Sequence, residues 1–245
     1  MLKQFKADMH IHTCLSPCSD WDMSPKKIVR QSLNSGLDII AICDHNSAEN
    51  CAAVIKEGES RGLSVLPGIE ICSKEEVHIL ALFDELDQVM VMQDYVYANL
   101  SGKNQPEVFG FQVVANEHDE VIGENTRLLI GATRLGLYDI VTKTHSLGGI
   151  SLSSHVDRTS YGIIGQLGFI PPDLEIDGVE ISYRVKLASA RKEVPGIGKY
   201  PCVAASDAHF IDDIGKVWTN LMLAAPILAE IRLALQNKDD RRIMV

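Results

Sequence analysis

The chain has 245 residues, 46% of them hydrophobic and 23% charged, and a formal net charge of -10. This size and balance exclude global disorder and allow one large α/β domain with a sizeable core. An acidic chain lacks the broad basic surface that nucleic acid usually requires, so a nucleic-acid partner is not expected, although bound cations would cancel part of that charge locally.

The predicted elements alternate between strand and helix. Lys6 to His10 reads as a short strand. Ser24-Pro25 opens a helix, with Ser as N-cap and Pro at the first helical position, and the helix runs through Ile28, Val29 and Leu33 towards Gly36. Asp38 to Cys43 is a continuous apolar run of the kind found in a strand buried on both faces. A helix over about 47–61 and strands over Leu63 to Ile71 and Val77 to Phe83 follow. The stretch 84–148 breaks the rhythm, with a helix over Leu86 to Leu100, a hairpin about Phe111 to Ile122 and a helix over Arg127 to Leu147. It reads as an insertion over one face of the domain. Strands over Gly149 to Ser153, Gly178 to Ser182, Pro201 to Ala205 and Val217 to Leu223, and a helix over about 227–237, complete the chain. Alternation of this kind predicts a mostly parallel sheet.

Met1 to Lys6 has no long apolar run, so no signal peptide is expected, and no stretch reaches the apolar length of a membrane helix. The six cysteines form no CxxC pair and read as reduced thiols in a cytoplasmic protein, with Cys14 and Cys18 an alternative metal pair.

Polar residues collect at the predicted strand ends: Asp8, His10 and His12; Asp44 and His45; Glu70; His78; His155; Asp207 and His209. Six of the eight histidines fall in this set. In parallel α/β folds the loops at the carboxyl ends of strands converge on one face, so these scattered residues should meet. Residues i and i+2 of a strand point the same way, so His10 and His12 can grip one ion, as can Asp207 and His209 if the chain stays extended there. Imidazole and carboxylate suit Zn, Mn or Fe, and the absence of thiolate pairs favours an open, catalytic coordination.

These residues resemble the PHP family (polymerase and histidinol phosphatase). The resemblance rests on Asp8-Met9-His10-Ile11-His12, Asp44-His45, Gly68-Ile69-Glu70, His78, Ser154-His155 and Asp207-Ala208-His209, and spans residue 5 to about 224. It implies a single domain over 1–245, a distorted seven-stranded (β/α)7 barrel carrying the insertion at about 84–148, with two or three divalent metal ions. It also implies that His10, His12, Glu70 and Asp207 hold one ion and that Glu70, His78 and His155 hold a second. His45 and His209 would hold a third with one early residue. The family spacing favours Asp20, while the extra Ser16-Pro17-Cys18 and the Trp21 that replaces a common glycine leave Cys18 or Asp22 as alternatives. Asp8 is expected to orient a histidine through its ring N–H.

The function expected is hydrolysis of a small-molecule phosphate ester, such as a sugar phosphate, histidinol phosphate or nucleotide, by a metal-activated hydroxide. Asp44 or His209 would assist proton transfer, and Arg158 and Arg184 would contact the phosphate. Three other readings stay open: an exonuclease-type phosphodiesterase, a C–N hydrolase of the amidohydrolase kind, and a non-catalytic metal-binding regulatory domain.

Overall fold

The first strand, β1 (Lys3–Ile11), sets the frame for everything that follows. Its exposed, polar start gives way to a fully buried end, Ala7 to Ile11, which lies in the middle of a sheet. The computed structural model describes residues 1–244. Parallel to β1 run β2 (Ile39–Ile42) and β3 (Ser64–Cys72); β4 (His78–Leu82) turns back antiparallel on β3. Two short strands, β5 (Val113–Ala115) and β6 (Val121–Glu124), form a separate hairpin. The main sheet resumes with β7 (Ile150–Ser153), antiparallel to β4, and continues parallel through β8 (Gly178–Ile181) and β9 (Cys202–Ala204). On the other edge of β1 lie β10 (Thr219–Leu223) and β11 (Arg242–Met244), both joined antiparallel to their neighbours.

The sheet curls until its ends nearly meet. Beyond β9, Ala208 bridges to Ile11; His12 N–H donates to the Ala208 carbonyl at 3.0 Å and Ala208 N–H to the His10 carbonyl at 3.3 Å. The result is a nearly closed, barrel-like sheet of nine strands, where the resemblance implied seven.

Helices α1 (Pro25–Asn34), α2 (Cys51–Arg61), α3 (Leu86–Tyr97) and α5 (Leu137–Ser146) cover the outside, and the one-turn α4 (Pro106–Phe109) precedes the hairpin. Helix α1 begins where Ser24-Pro25 predicts, with Pro at the first turn, and Ile28 and Val29 face the core. The expected helix over Arg127 to Leu147 is half as long. Residues before Gly136 give their backbone bonds to other parts of the fold instead: Thr133 N–H reaches the Cys72 carbonyl at 2.9 Å, and Asn46 Nδ2 reaches the carbonyls of Leu129 and Gly131 at 2.7 and 2.8 Å. Tertiary partners here outcompete the helical ladder. Later come α6 (Ile163–Leu167), α7 (Ala190–Glu193) and α8 (Leu228–Leu235).

Inward positions divide the barrel into two storeys. In the lower one Ile39, Ala41, Leu66, Leu80, Leu82, Ile150, Leu152 and Val203 form a dry cluster, and α8 closes it with Leu228, Ile231, Ala234 and Leu235. In the upper one the same strands present Glu70, His78 and Glu180, all buried. Gly68 marks the step between them on β3. A side chain there would meet Leu82 Cδ2 at 2.8 Å and Cys43 Sγ and the Ile42 carbonyl at 2.9 Å, so this GxE motif needs its glycine for interior packing. Among the described residues no helix is long and apolar enough to cross a membrane.

Candidate metal centre

Five histidine rings surround one carboxylate at the top of the barrel. Glu70 Oε1 lies 2.9 Å from His78 Nδ1 and 3.4 Å from both His10 Nε2 and His155 Nε2; Oε2 lies 2.9 Å from His45 Nδ1 and 3.5 Å from His12 Nε2. Both oxygens are buried, yet none of these approaches is aligned as a hydrogen bond. Burial works against the Glu70 carboxylate, but His78 and His10 outweigh it and hold its pKa well below the usual range. A buried anion ringed by imidazoles with no aligned donor fits a bound cation.

The second carboxylate is Asp207. Its Oδ1 sits 3.1 Å from His12 Nε2 and 3.3 Å from His10 Nε2, and Arg158 donates to its Oδ2 at 2.6 Å. The chain is not extended here: Asp207 has φ +51, and His209 Nδ1, 3.6 Å from Asp207 Oδ1, turns onto the Asp207 carbonyl instead. His209 stacks on His12 at 4.1 Å between centroids and lies 5.9 Å from His45. Asn46, His155 and Tyr161 also adopt positive φ, and this gathering of strained non-glycine backbone marks a site that the fold over-determines. His78 reaches the cluster by another route. It stands at the amino end of β4, which is the upper end because β4 runs antiparallel.

The rings are held from behind. His10 Nδ1 faces Glu180 at 2.9 and 3.1 Å, His12 Nδ1 faces the Ser16 hydroxyl at 3.0 Å, and His209 Nδ1–H donates to the Asp207 carbonyl at 2.9 Å. Fixing Nδ1 in each leaves Nε2 available to a metal ion, the usual arrangement of metal-binding histidine. Three groups have donor atoms close enough to share an ion: His10, His12 and Glu70; His45, Glu70 and His78; and His12, His45 and His209.

Glu180 is the residue that sequence reasoning missed. It is fully buried, accepts from His155 N–H at 3.2 Å, and takes the orienting role expected of Asp8. A single acid inside the apolar strand Gly178-Val-Glu-Ile-Ser182 was the signal available. Asp8 instead accepts from the N–H groups of Ser206 at 2.9 Å and Gly215 at 3.1 Å, tying the chain after β9 to β1. Burial pushes its carboxyl up to about 6, against those two donors.

Other expected residues lie elsewhere. Asp44 points away from the cavity: Thr13 N–H and hydroxyl donate to it at 2.7 and 2.8 Å and the Ser16 hydroxyl at 2.6 Å, so it stiffens the loop behind His12. Asp20 Oδ1 accepts from Asp22 N–H at 2.8 Å, and Asp22 pairs with Lys27 at 2.5 Å, so neither carboxylate joins the cluster. Arg184 is exposed beside the Tyr183 ring. Cys18, by contrast, faces the cluster. Burial of its thiol works upward, but the His45 and His209 rings bring it down to about 6.

Above the cluster opens a cavity of about 240 Å³, lined by Cys18, Arg158, Tyr161 and Ile130 together with the ligand residues. A larger one of about 410 Å³, lined by Leu187, Arg191, Lys199 and Ile243 among others, contains no acid or histidine, so the chemistry belongs to the smaller.

This barrel and donor set define the class of metal-dependent phosphoesterases. The PHP domain family model matches residues 8–160, more than half of the chain, and a PHP-associated model matches residues 199–239; the chain belongs to the PHP domain family. A 5'-3' exoribonuclease of Escherichia coli (strain K12) is 26% identical over 176 residues, which cover 67% of this chain and 56% of that protein. A lesion-specific endonuclease from Pyrococcus furiosus superposes with a TM-score of 0.72 at 17% identity, over 99% of this chain and 58% of its own. A Bifidobacterium adolescentis protein described as a metal-dependent phosphoesterase gives 0.56 at 17% identity, over 83% and 87%. Such identities make the structural matches evidence of fold. The chain spans little more than half the length of the exoribonuclease and the endonuclease.

These relatives overturn the expectation of a small-molecule substrate with no nucleic-acid partner expected. The reasoning from net charge failed because it averaged over the whole surface. Three of the acids counted, Glu70, Asp207 and Glu180, are buried in the centre, where bound cations would offset their charge locally.

Proposed function

We propose that the chain hydrolyses phosphodiester bonds of single-stranded nucleic acid, as an exonuclease-type phosphoesterase working with two or three divalent ions of Mn, Fe or Zn. The observation that carries the metal requirement is Glu70, a buried carboxylate with both oxygens unaligned to any donor and five imidazoles around it. His10, His12, Glu70 and Asp207 would hold one ion, and Glu70, His78 and His155 a second, with His45 and His209 left for a third. When bound, such ions supply Lewis-acid charge against the phosphate oxygens and the nucleophile.

The protein's own groups do the positioning. Arg158 keeps one nitrogen on Asp207, while its buried Nε has no partner and is free for a phosphate oxygen. Ile130 forms part of the cavity wall, and we assign the 84–148 segment the role of shaping what enters.

Exposed aromatics favour a nucleic-acid strand over a small ester. Trp21 and Phe111 pair at 5.3 Å; Phe210 follows His209, Tyr183 follows β8, and Tyr161 stacks on His78 at 4.5 Å. Of these, Tyr161 lines the cavity, and exposed rings offer stacking for bases at about 1–3 kcal/mol each. The exonuclease form is preferred because the sequence relative is an exoribonuclease, whereas the endonuclease likeness concerns fold. The test is manganese-dependent digestion of 5'-labelled single-stranded RNA and DNA, beside sugar phosphates and an aryl phosphate. Stepwise release of mononucleotides is expected; turnover of the small esters with intact oligonucleotides would sink this reading.

A further inference from the structure

A second cavity adjoins the metal centre. It measures about 190 Å³ and is lined by Tyr183, Ser206, Asp207, Asp213 and Lys216. Asp207 also lines the cavity above the cluster, so the two meet at that carboxylate. Neither reaches the roughly 300 Å³ at which small-molecule sites begin, and the two together do. The cavities about Leu187 and about Tyr138 share no residue with the centre. The walls of the second cavity are tied to the stretches that carry the cluster. Asp157, two residues after His155, accepts from the Ser182 N–H at 2.8 Å and the Ser182 hydroxyl at 2.6 Å, which sets the backbone just before Tyr183. Asp8, two residues before His10, accepts from Ser206 N–H at 2.9 Å and Gly215 N–H at 3.1 Å, so one carboxylate anchors the stretches carrying Ser206 and Lys216.

The lining suits part of a nucleic-acid strand. Tyr183 presents an exposed ring, and the buried Ser206 hydroxyl has no hydrogen-bond partner. Lys216 Nζ places one donor on Asp213 at 2.5 Å and keeps two. Arg184, its Cζ 5.9 Å from the Tyr183 ring centroid, adds a second cation at the rim. A ring beside cations is the combination that holds a single strand, by stacking on a base and by attraction to the backbone. We propose that this cavity takes one of the two nucleosides that flank the scissile phosphate, with its base on Tyr183 and its outer phosphate beside Lys216 and Arg184. The scissile phosphate itself then lies where the cavities meet, against Asp207 and the Arg158 that donates to it. The inference deepens the nucleic-acid reading above and rests on it.

Removing the ring from the protein and the base from the strand tests the contact from both sides. Manganese-loaded wild type, Tyr183→Ala, Tyr183→Phe and Lys216→Gln are given short single-stranded RNA, either intact or abasic at the first or the second nucleotide. Tyr183→Ala should raise KM for the intact strand about tenfold with kcat little changed, and Tyr183→Phe, which keeps the ring, should not. The penalty of Tyr183→Ala should vanish on one of the two abasic strands, because the base it loses is already gone. Lys216→Gln should flatten the dependence of log KM on salt. No penalty on the intact strand, the same penalty on both abasic strands, a Phe variant as impaired as the Ala variant, or an unchanged salt slope overturns the subsite and leaves the nuclease reading standing. Wild type that turns over an aryl phosphate but leaves every strand intact defeats the nuclease reading and the subsite together.

Discussion

The two storeys of the barrel share their strands and differ in almost everything else. Along β3 the inward positions run Leu66, Gly68, Glu70, so two steps up the strand carry the chain from hydrocarbon to a ringed carboxylate. Below, Leu80, Leu82, Ile150 and Leu152 meet under α8 and leave no polar atom to satisfy. Above, buried rings and acids press against each other with unaligned contacts, an arrangement that weakens a fold unless a ligand resolves it. The difference teaches that stability and chemistry are kept apart vertically: the lower storey holds the strands in place so that the upper one can tolerate electrostatic conflict.

The largest expected effect comes from striking the centre of the upper storey. Glu70→Gln keeps the shape but removes the charge that all five rings address. At least one metal ion should be missing by elemental analysis, and turnover should fall about a thousandfold, with the thermal unfolding of the metal-free protein little changed. Full metal content with full activity would remove Glu70 from the centre.

Striking below should do the opposite. Leu152 is fully buried among apolar neighbours, and Leu152→Ala leaves a cavity that costs about 2–5 kcal/mol. Denaturant unfolding should show that loss while metal content per folded chain stays the same. If metal content drops instead, the two storeys are coupled and the division drawn here fails.

Glu180 lies on the boundary, and it shows what the sequence could and could not tell. The clustered histidines were legible because each stands at a strand end in a short motif, and strand alternation put them on one face. The alternating strands and helices were legible for the same reason, apolar runs of strand length between helix-length periods. Glu180 was hidden because a lone acid in a strand names no partner; its meaning comes from His10, 170 positions away. Asp20 was over-read because spacing places a residue on a loop but does not say which way its side chain turns. The nine residues Arg127 to Leu135 read as helix because their propensity is real and only tertiary bonds override it. Glu180→Gln should weaken metal affinity by about 10–100-fold, as loss of a histidine-orienting carboxylate does, and full occupancy should return at high metal concentration. Unchanged affinity in a titration of the metal-free protein would make Glu180 a core residue and nothing more.

The smallest effect expected is at the rim, where Arg158 belongs to neither storey. Its guanidinium touches Asp207 from the cavity side and is a quarter exposed. Asp207 keeps His10 and His12 within 3.3 Å without it, so Arg158→Ala should leave metal content intact. What it removes is a planar cation beside the incoming phosphate, and KM for an oligonucleotide should rise about tenfold with kcat far less affected. Arg158→Lys restores the charge without the fork, so a partial recovery identifies charge as the main contribution and no recovery identifies the bidentate geometry. An unchanged KM in both variants would confine Arg158 to bracing Asp207, and the upper storey would then have to draw its substrate in by bound metal ions and the Tyr161 ring.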